Sequence, residues 1–273
     1  MTQQRIGFIG AGNMGTALIR GLINQGYPTS LLTVCDHHPQ NVQAMSALGV
    51  NVSEQAALVA TNVDILVLAV KPSSMKSTVQ DLFATPQKQP PLLVSVAAGI
   101  TTSQIQQWQA PNTAPIIRAM PNTPSLLGVG MTGLFATDKV NNTMQMAVSD
   151  IFSAVGKITW LNKESDMDIV TALSGSGPAY FFYFMECLIE SAISLGLNDD
   201  IARQLTFQTA LGAAQMAQQS PDSIKELRQK VTSKGGTTEQ GINALKGGNM
   251  AELLQNALRA AYQRGKTLSE EYD

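Results

Sequence analysis

The chain has 273 residues, of which 44% are hydrophobic, and a formal net charge of −2, which is enough apolar material for one large domain or two ordinary ones. With no long basic run it carries no electrostatic footprint for nucleic acid or an anionic membrane, so the expected partners are small molecules and copies of itself. Cys35 and Cys187 show no metal-ligand or C-x-x-C spacing and read as reduced thiols, no signal-peptide pattern precedes the first strand, and no apolar run approaches the ~20 residues of a membrane span, so a cytoplasmic location is expected.

In chain order, residues 5–10 read as an apolar strand that enters Gly10-Ala11-Gly12-Asn13-Met14-Gly15 and then a helical pattern over 16–24. Three glycines at the spacing G-x-G-x-x-G between a strand and a helix form a dinucleotide-binding turn. Gly10 makes the bend, Gly12 lets the backbone approach a pyrophosphate, and Gly15 lets the helix pack on the strand. The pyrophosphate would sit at the helix N-terminus, where free N–H groups and the dipole favour an anion.

The second strand, 32–36, ends in Asp36, roughly 20 residues beyond the last glycine, where a carboxylate would bind an adenosine ribose hydroxyl and favour NAD. His37 and His38 follow at once and could accommodate a 2′-phosphate, or could be solvated loop residues before Pro39. The choice between NADP(H) and NAD(H) therefore stays open, and the adjacent histidines are poorly spaced for a metal site.

Residues 64–70 form the clearest buried strand, ending in Lys71-Pro72. Ligands of open α/β sheets bind at the carboxyl ends of strands, which places Ala69, Val70, Lys71 and Pro72 against the cofactor. A strand at 92–96 ends in Ala97-Ala98-Gly99, three small residues over which a flat ring could lie. Residues 115–120 repeat the pattern before the rigid turn Pro121-Asn122-Thr123-Pro124, and 128–136 and 157–160 are expected to complete the sheet. Strands and helices alternating in this way predict an α/β domain built on a mostly parallel, doubly wound sheet over 1–161.

After Leu161 only helical patterns remain, which makes 162–273 an all-α domain. The helix from Gly177-Pro178 to Gly196 is apolar on nearly every side and is expected to be buried among other helices. The next, 199–219, lines its packing face with small residues such as Ala210, Gly212 and Ala213, a seam that suits close helix contact within the chain or between two chains.

Two glycine-rich stretches stand out in this half. Val231-Thr232-Ser233-Lys234-Gly235-Gly236-Thr237-Thr238 precedes a helical pattern over 239–246 and offers amide groups and hydroxyls to a carboxylate or phosphate. Leu173-Ser174-Gly175-Ser176 before Gly177-Pro178 reads as a second such loop. Taken with a dinucleotide domain, the pair points to a substrate site that includes Ser233, Gly235, Gly236, Thr237, Thr238, Ser174 and Gly175. No Ser-His-Asp set or metal-ligand cluster accompanies them.

The segments 10–15, 69–72, 97–100, 118–124, 173–180 and 231–238, in this order and spacing, resemble the pyrroline-5-carboxylate reductase family over essentially the whole chain. That resemblance implies an N-terminal Rossmann domain, a C-terminal substrate-binding domain that interlocks with its mate in a homodimer or higher oligomer, and reduction of 1-pyrroline-5-carboxylate to L-proline with NAD(P)H. The resemblance supports Thr238 as the hydroxyl near the ring nitrogen, with Ser233, Gly235, Gly236 and Thr237 around the carboxylate; Thr238 and Ser233 are the expected catalytic residues, and Asn122 is expected among the cofactor contacts. Three positions depart from the family pattern: Lys234 stands where a proline is common, Gln229 where an Asp is frequent, and Gln55-Ala56 where a ribose-contacting Asn is usual. Dehydrogenases of the 3-hydroxyacid type share the fingerprint but carry a catalytic Lys early in the long helix, which here begins Pro178-Ala179-Tyr180. A non-catalytic NAD(P)H sensor would not need the loop at 231–238.

Overall fold

The computed structural model describes residues 4–85, 87 and 89–272. By the density of internal contacts the chain forms two compact units. The first runs to Ser176 and is taken up again from Ala261, and the second is Gly177–Ala260. By this criterion the segment after Leu161 stays with the sheet, because it is pinned there by side chains described below, and so does the end of the last helix.

The first unit is built on eight strands: β1 (Ile6–Ile9), β2 (Leu32–Cys35), β3 (Asn51–Val52), β4 (Ile65–Leu68), β5 (Leu92–Ser95), β6 (Ile116–Met120), β7 (Gly130–Ala136) and β8 (Gly156–Trp160). Their spatial order is β3-β2-β1-β4-β5-β6-β7-β8. Every neighbouring pair is parallel except β6 and β7. The order reverses between β1 and β4, which opens the crevice where such sheets take their ligands. Between the strands lie α1 (Asn13–Asn24), α2 (Pro39–Ala47), α3 (Ala56–Thr61), α4 (Pro72–Leu82), α5 (Thr102–Trp108) and α6 (Asn142–Ser153).

The apolar runs of β4 and β5 are continuous because both faces of the sheet are covered. Ile65 and Val67 join one core with Phe8, Leu18, Ile19 and Phe152, while Leu66 and Leu68 join the other with Met75, Val79, Ile105 and Trp108. Alternate residues of one strand thus serve opposite cores, as the two-residue period requires. β3, a two-residue strand, is the one the sequence reading did not contain.

After β8 come α7 (Met167–Val170) and a π-helical turn over Thr171–Gly175. The expectation of a loop at Leu173, Ser174 and Gly175 is corrected here, since these residues are helical. Gly175 lies against the end of the Met120 side chain, whose Cε would be 2.7 Å from a Cβ at this position and would have to shift to admit one.

The second unit holds α8 (Gly177–Ser194), α9 (Asp199–Gln219), α10 (Ile224–Lys230), α11 (Thr237–Gly247) and the first part of α12 (Met250–Glu271). Pro178 is the second residue of α8 rather than the first, a position whose N–H is equally free of an intrahelical partner. α8 packs on α9, but the expectation that it is buried on all sides is overturned. Phe181, Phe182 and Tyr183 are 69%, 63% and 68% exposed, and Leu205, Phe207 and Leu211 of α9 are exposed too. Among the described residues nothing covers these side chains. Among the described residues no helix is long and apolar enough to cross a membrane.

Candidate functional site

The fingerprint turn is assembled by close backbone packing at the end of β1. Gly10 adopts φ +97°, and a Cβ on it would meet the Ala69 carbonyl oxygen at 2.7 Å, so the turn backs directly onto the end of β4. A Cβ on Gly15 would come within 2.4 Å of the Gly10 carbonyl oxygen. Gly12 is the opposite case, with no atom within 4 Å of where its Cβ would be. Space is kept open there rather than filled.

Helix α1 starts at Asn13, three residues before the helical pattern predicted it. Its N-cap is Gly12, with no side-chain cap and no acidic residue in the first turn. Its first amide groups, Asn13 and Met14 among them, therefore face the opening above Gly12 without a built-in acceptor. An open cradle at a helix start is what a pyrophosphate needs, so the residues fit a dinucleotide. The Thr16 hydroxyl donates to the Ala11 carbonyl at 2.8 Å and steadies the turn.

Asp36, just beyond β2, accepts N–H bonds from Ala11 at 2.6 Å, from His38 at 2.7 Å and from the Asn41 side chain at 3.0 Å. Burial alone would raise its pKa, but these three donors, with the nearby His37, outweigh it and hold the carboxyl below its ordinary value. Of the roughly four lone-pair positions of a carboxylate, one remains for a ribose hydroxyl. His37 and His38 are exposed beside it, with one potential ligand atom each from Asp36, His37 and His38 lying within 4.8 Å of one another. A cation there would compete with the ribose hydroxyl for the one carboxylate position that the N–H bonds leave open.

The other predicted cofactor residues come to the same edge of the sheet. Ala69 donates its N–H to the Ile9 carbonyl at 2.8 Å, and Lys71 stands at the N-cap position of α4 without a side-chain capping bond, with Pro72 in the first turn. Val70 and Ala98 are half-buried, while Ala97 and Gly99 are buried. Gly99 has φ +75°, and a Cβ there would strike Leu268 Cβ of α12 at 2.9 Å. The Asn122 side chain donates to the Ser174 carbonyl at 3.0 Å and accepts the Met131 N–H at 2.9 Å. It therefore ties the π-helical turn, with Ser174 and Gly175, to the start of β7.

Sequence reading did not find the ionic cluster behind this edge. Arg118 of β6 is 3% exposed; its guanidinium lies 3.2 Å from Glu164 and 3.7 Å from Asp168. Glu164 also accepts the Thr102 N–H at 2.7 Å and the Thr102 hydroxyl at 2.6 Å. The cluster fastens the segment after β8 to the first residue of α5, three residues beyond Gly99. A lone Arg inside a run of strand residues was the available signal, since a buried cation requires a partner.

The second unit supplies the other predicted residues. Helix α10 ends at Lys230, with Gln229 in its last turn, and the Thr232 hydroxyl donates to the Arg228 carbonyl at 2.6 Å. Residues 233–236 then form a β-turn closed by the Gly236 N–H donating to the Ser233 carbonyl at 3.0 Å. Gly235 sits at φ +75°, which makes the turn type II. α11 begins at Thr237, two residues earlier than expected, so Thr237 and Thr238 are its first two residues. Its N-cap, Gly236, provides no side-chain cap. Ser233, Lys234, Thr237 and Thr238 are all exposed.

Comparison with known proteins agrees along the whole chain. The family model for pyrroline-5-carboxylate reductase dimerisation matches residues 164–268, and that for coenzyme F420-dependent NADP oxidoreductases matches residues 5–99. A pyrroline-5-carboxylate reductase of Pseudomonas aeruginosa is 42% identical, over 99% of both chains. Among solved structures, the pyrroline-5-carboxylate reductase of Coxiella burnetii superposes with a TM-score of 0.93 at 42% identity, over 98% of this chain and 99% of that one. The pyrroline carboxylate reductase of Plasmodium falciparum with NADP bound gives 0.87 at 31% identity, again over 98% and 99%.

Proposed function

The chain belongs to the pyrroline-5-carboxylate reductase family, and from that premise we propose how its residues carry out the NAD(P)H-dependent reduction of 1-pyrroline-5-carboxylate to L-proline, the last step of proline biosynthesis. The first unit holds the dinucleotide: its pyrophosphate over Gly12 and the start of α1, its adenosine ribose at Asp36, its nicotinamide end toward Ala97, Ala98 and Gly99. When bound, the reduced nicotinamide supplies the hydride. Everything else is positioning, because a protonated cyclic imine is already electrophilic at carbon and needs mainly a fixed orientation.

The substrate half rests on one observation, the uncapped start of α11. The Gly236 N–H is used inside its turn and the Gly235 N–H is taken by Glu239, which leaves the amides of Thr237 and Thr238 for the substrate carboxylate. Gly235 and Gly236 give the turn its shape. The Ser233 and Thr237 hydroxyls flank the same position. Ser174 and Gly175, in the first unit, are the remaining residues assigned to the substrate. The Thr238 hydroxyl hydrogen-bonds the ring nitrogen and, with Ser233, sets the imine plane.

Residues 162–273 form the functional substrate and dimerisation domain, a boundary supported by the family match at 164–268. The exposed aromatic residues of α8 and the exposed apolar residues of α9 are the surface by which copies of the chain pair, as a homodimer or a larger assembly. The enzyme acts in the cytoplasm.

Incubating the protein with NADPH or NADH and racemic pyrroline-5-carboxylate, then assaying for L-proline, tests this reading. Proline formed in step with loss of reduced nicotinamide supports it. Absence of proline with both nucleotides overturns it.

A further inference from the structure

The turn 233–236 places Lys234 at its second position and Gly235 at its third. Glycine suits the positive φ at the third position. The second position of a type II turn is where proline is favoured, because its ring fixes φ at the value required. Lysine brings no such restriction, and this one is exposed on the turn. The turn therefore depends on something else to hold the peptide plane between Lys234 and Gly235.

That something is Glu239. It is the third residue of α11, and its carboxylate reaches back to accept the Gly235 N–H at 2.8 Å. In an ordinary capping box the third residue bonds the N-cap amide; here the bond lands one residue earlier, on the peptide inside the turn. Rotation of that peptide would change the direction in which 233–236 delivers the chain into Thr237 and Thr238. The bond also keeps the carboxylate directed at Gly235 and away from the amides of Thr237 and Thr238.

We propose that Glu239 is a positioning residue for substrate binding: by bonding the Gly235 N–H it supplies the turn rigidity that Lys234 does not, and so keeps the start of α11 in the geometry that receives the substrate carboxylate. This rests on the assignment of 233–238 as the substrate loop.

The test is a double-mutant cycle on the full-length enzyme, measuring kcat and the KM values for pyrroline-5-carboxylate and NADPH in Glu239→Ala, Lys234→Pro and the double variant, with Glu239→Gln and Thr238→Ala alongside. Glu239→Ala should raise the KM for pyrroline-5-carboxylate about fivefold to twentyfold, with kcat and the KM for NADPH within about twofold. Glu239→Gln keeps an acceptor oxygen and should recover most of the loss. In the Lys234→Pro background the effect of Glu239→Ala should shrink to about threefold or less, since the ring now does the same work. Additive effects of the two substitutions would overturn the proposal, as would a Glu239→Ala enzyme that is only less heat-stable. If Thr238→Ala is impaired while Glu239→Ala is not, the positioning role fails and the substrate loop stands. If neither substitution changes any kinetic constant, the substrate-loop assignment fails and the proposal falls with it.

Discussion

The Asp36 carboxylate accepts the Ala11 N–H at 2.6 Å, so the acidic residue at the end of β2 braces the fingerprint turn itself. The bond favours the ionised form, and with those from His38 and Asn41 it holds the folded-state pKa below the ordinary 3.8. The stability contributed by Asp36 is then complete above the unfolded value and is lost as pH falls through the lower, folded one. Thermal unfolding of the wild type and of Asp36→Ala should show a constant gap in Tm above pH 3.8 that closes at lower pH. A gap that persists unchanged into strong acid would contradict the bracing role.

Gly12 and Gly15 should separate binding from folding. Gly12 has open space around its missing side chain and an ordinary negative φ of −66°, so Gly12→Val should keep its Tm and lose nucleotide binding in a fluorescence titration with NADPH. Gly15→Val would press a side chain into the Gly10 carbonyl, 2.4 Å from its Cβ, and should lower the Tm as well. Unchanged NADPH affinity in Gly12→Val would refute the cradle.

Glu164→Ala should be among the most destabilising single changes near the cofactor edge. Among the described residues it leaves Arg118, 4% exposed at its side chain, with Asp168 at 3.7 Å as its remaining carboxylate partner, and it removes both bonds to Thr102. A loss of roughly 2–4 kcal/mol by urea denaturation is expected from stranding a buried cation. The pair Arg5–Asp64, with side chains 55% and 41% exposed, should tolerate Arg5→Ala with little change, because water screens it. Equal effects in the two variants would count against this comparison.

The bare aromatic surface of α8 predicts self-association. Sedimentation at micromolar concentration should give a dimer or a larger closed assembly, and Phe181→Glu combined with Phe182→Glu should shift it toward monomer. A wild-type monomer under those conditions would contradict the pairing surface.

What could be read from the sequence followed from how local each cause is. The tasks of Gly10, Gly12 and Gly15 are set within a few residues, and β4 and β5 declare themselves because both faces of each are apolar. β3 was missed because one exposed and one half-buried residue make no pattern. Ser174 and Gly175 were misread as a loop because small polar residues usually mark one, whereas Asn122, far away in sequence, bonds the Ser174 carbonyl of a helical turn. The burial expected for α8 failed since an apolar helix says only that it needs a cover, not that its own chain provides one. Arg118 and Glu164 are 46 residues apart, and nothing in sequence pairs them. Glu239 was within reach of sequence reasoning, as it stands three residues after the N-cap, where capping glutamates occur.

The proposed imine reduction depends most on Thr238, an exposed hydroxyl in the first turn of α11 that is assigned to the ring nitrogen. Measurement of kcat/KM for pyrroline-5-carboxylate in Thr238→Ala and Thr238→Ser tests it directly. Thr238→Ala should lose on the order of tenfold to a hundredfold, about 1.4 to 3 kcal/mol for one polar contact in a closed site, with NADPH affinity unchanged. Thr238→Ser keeps the hydroxyl and should retain most of the activity. Equal losses in both variants would make Thr238 a packing residue, and no loss in either would place the substrate elsewhere.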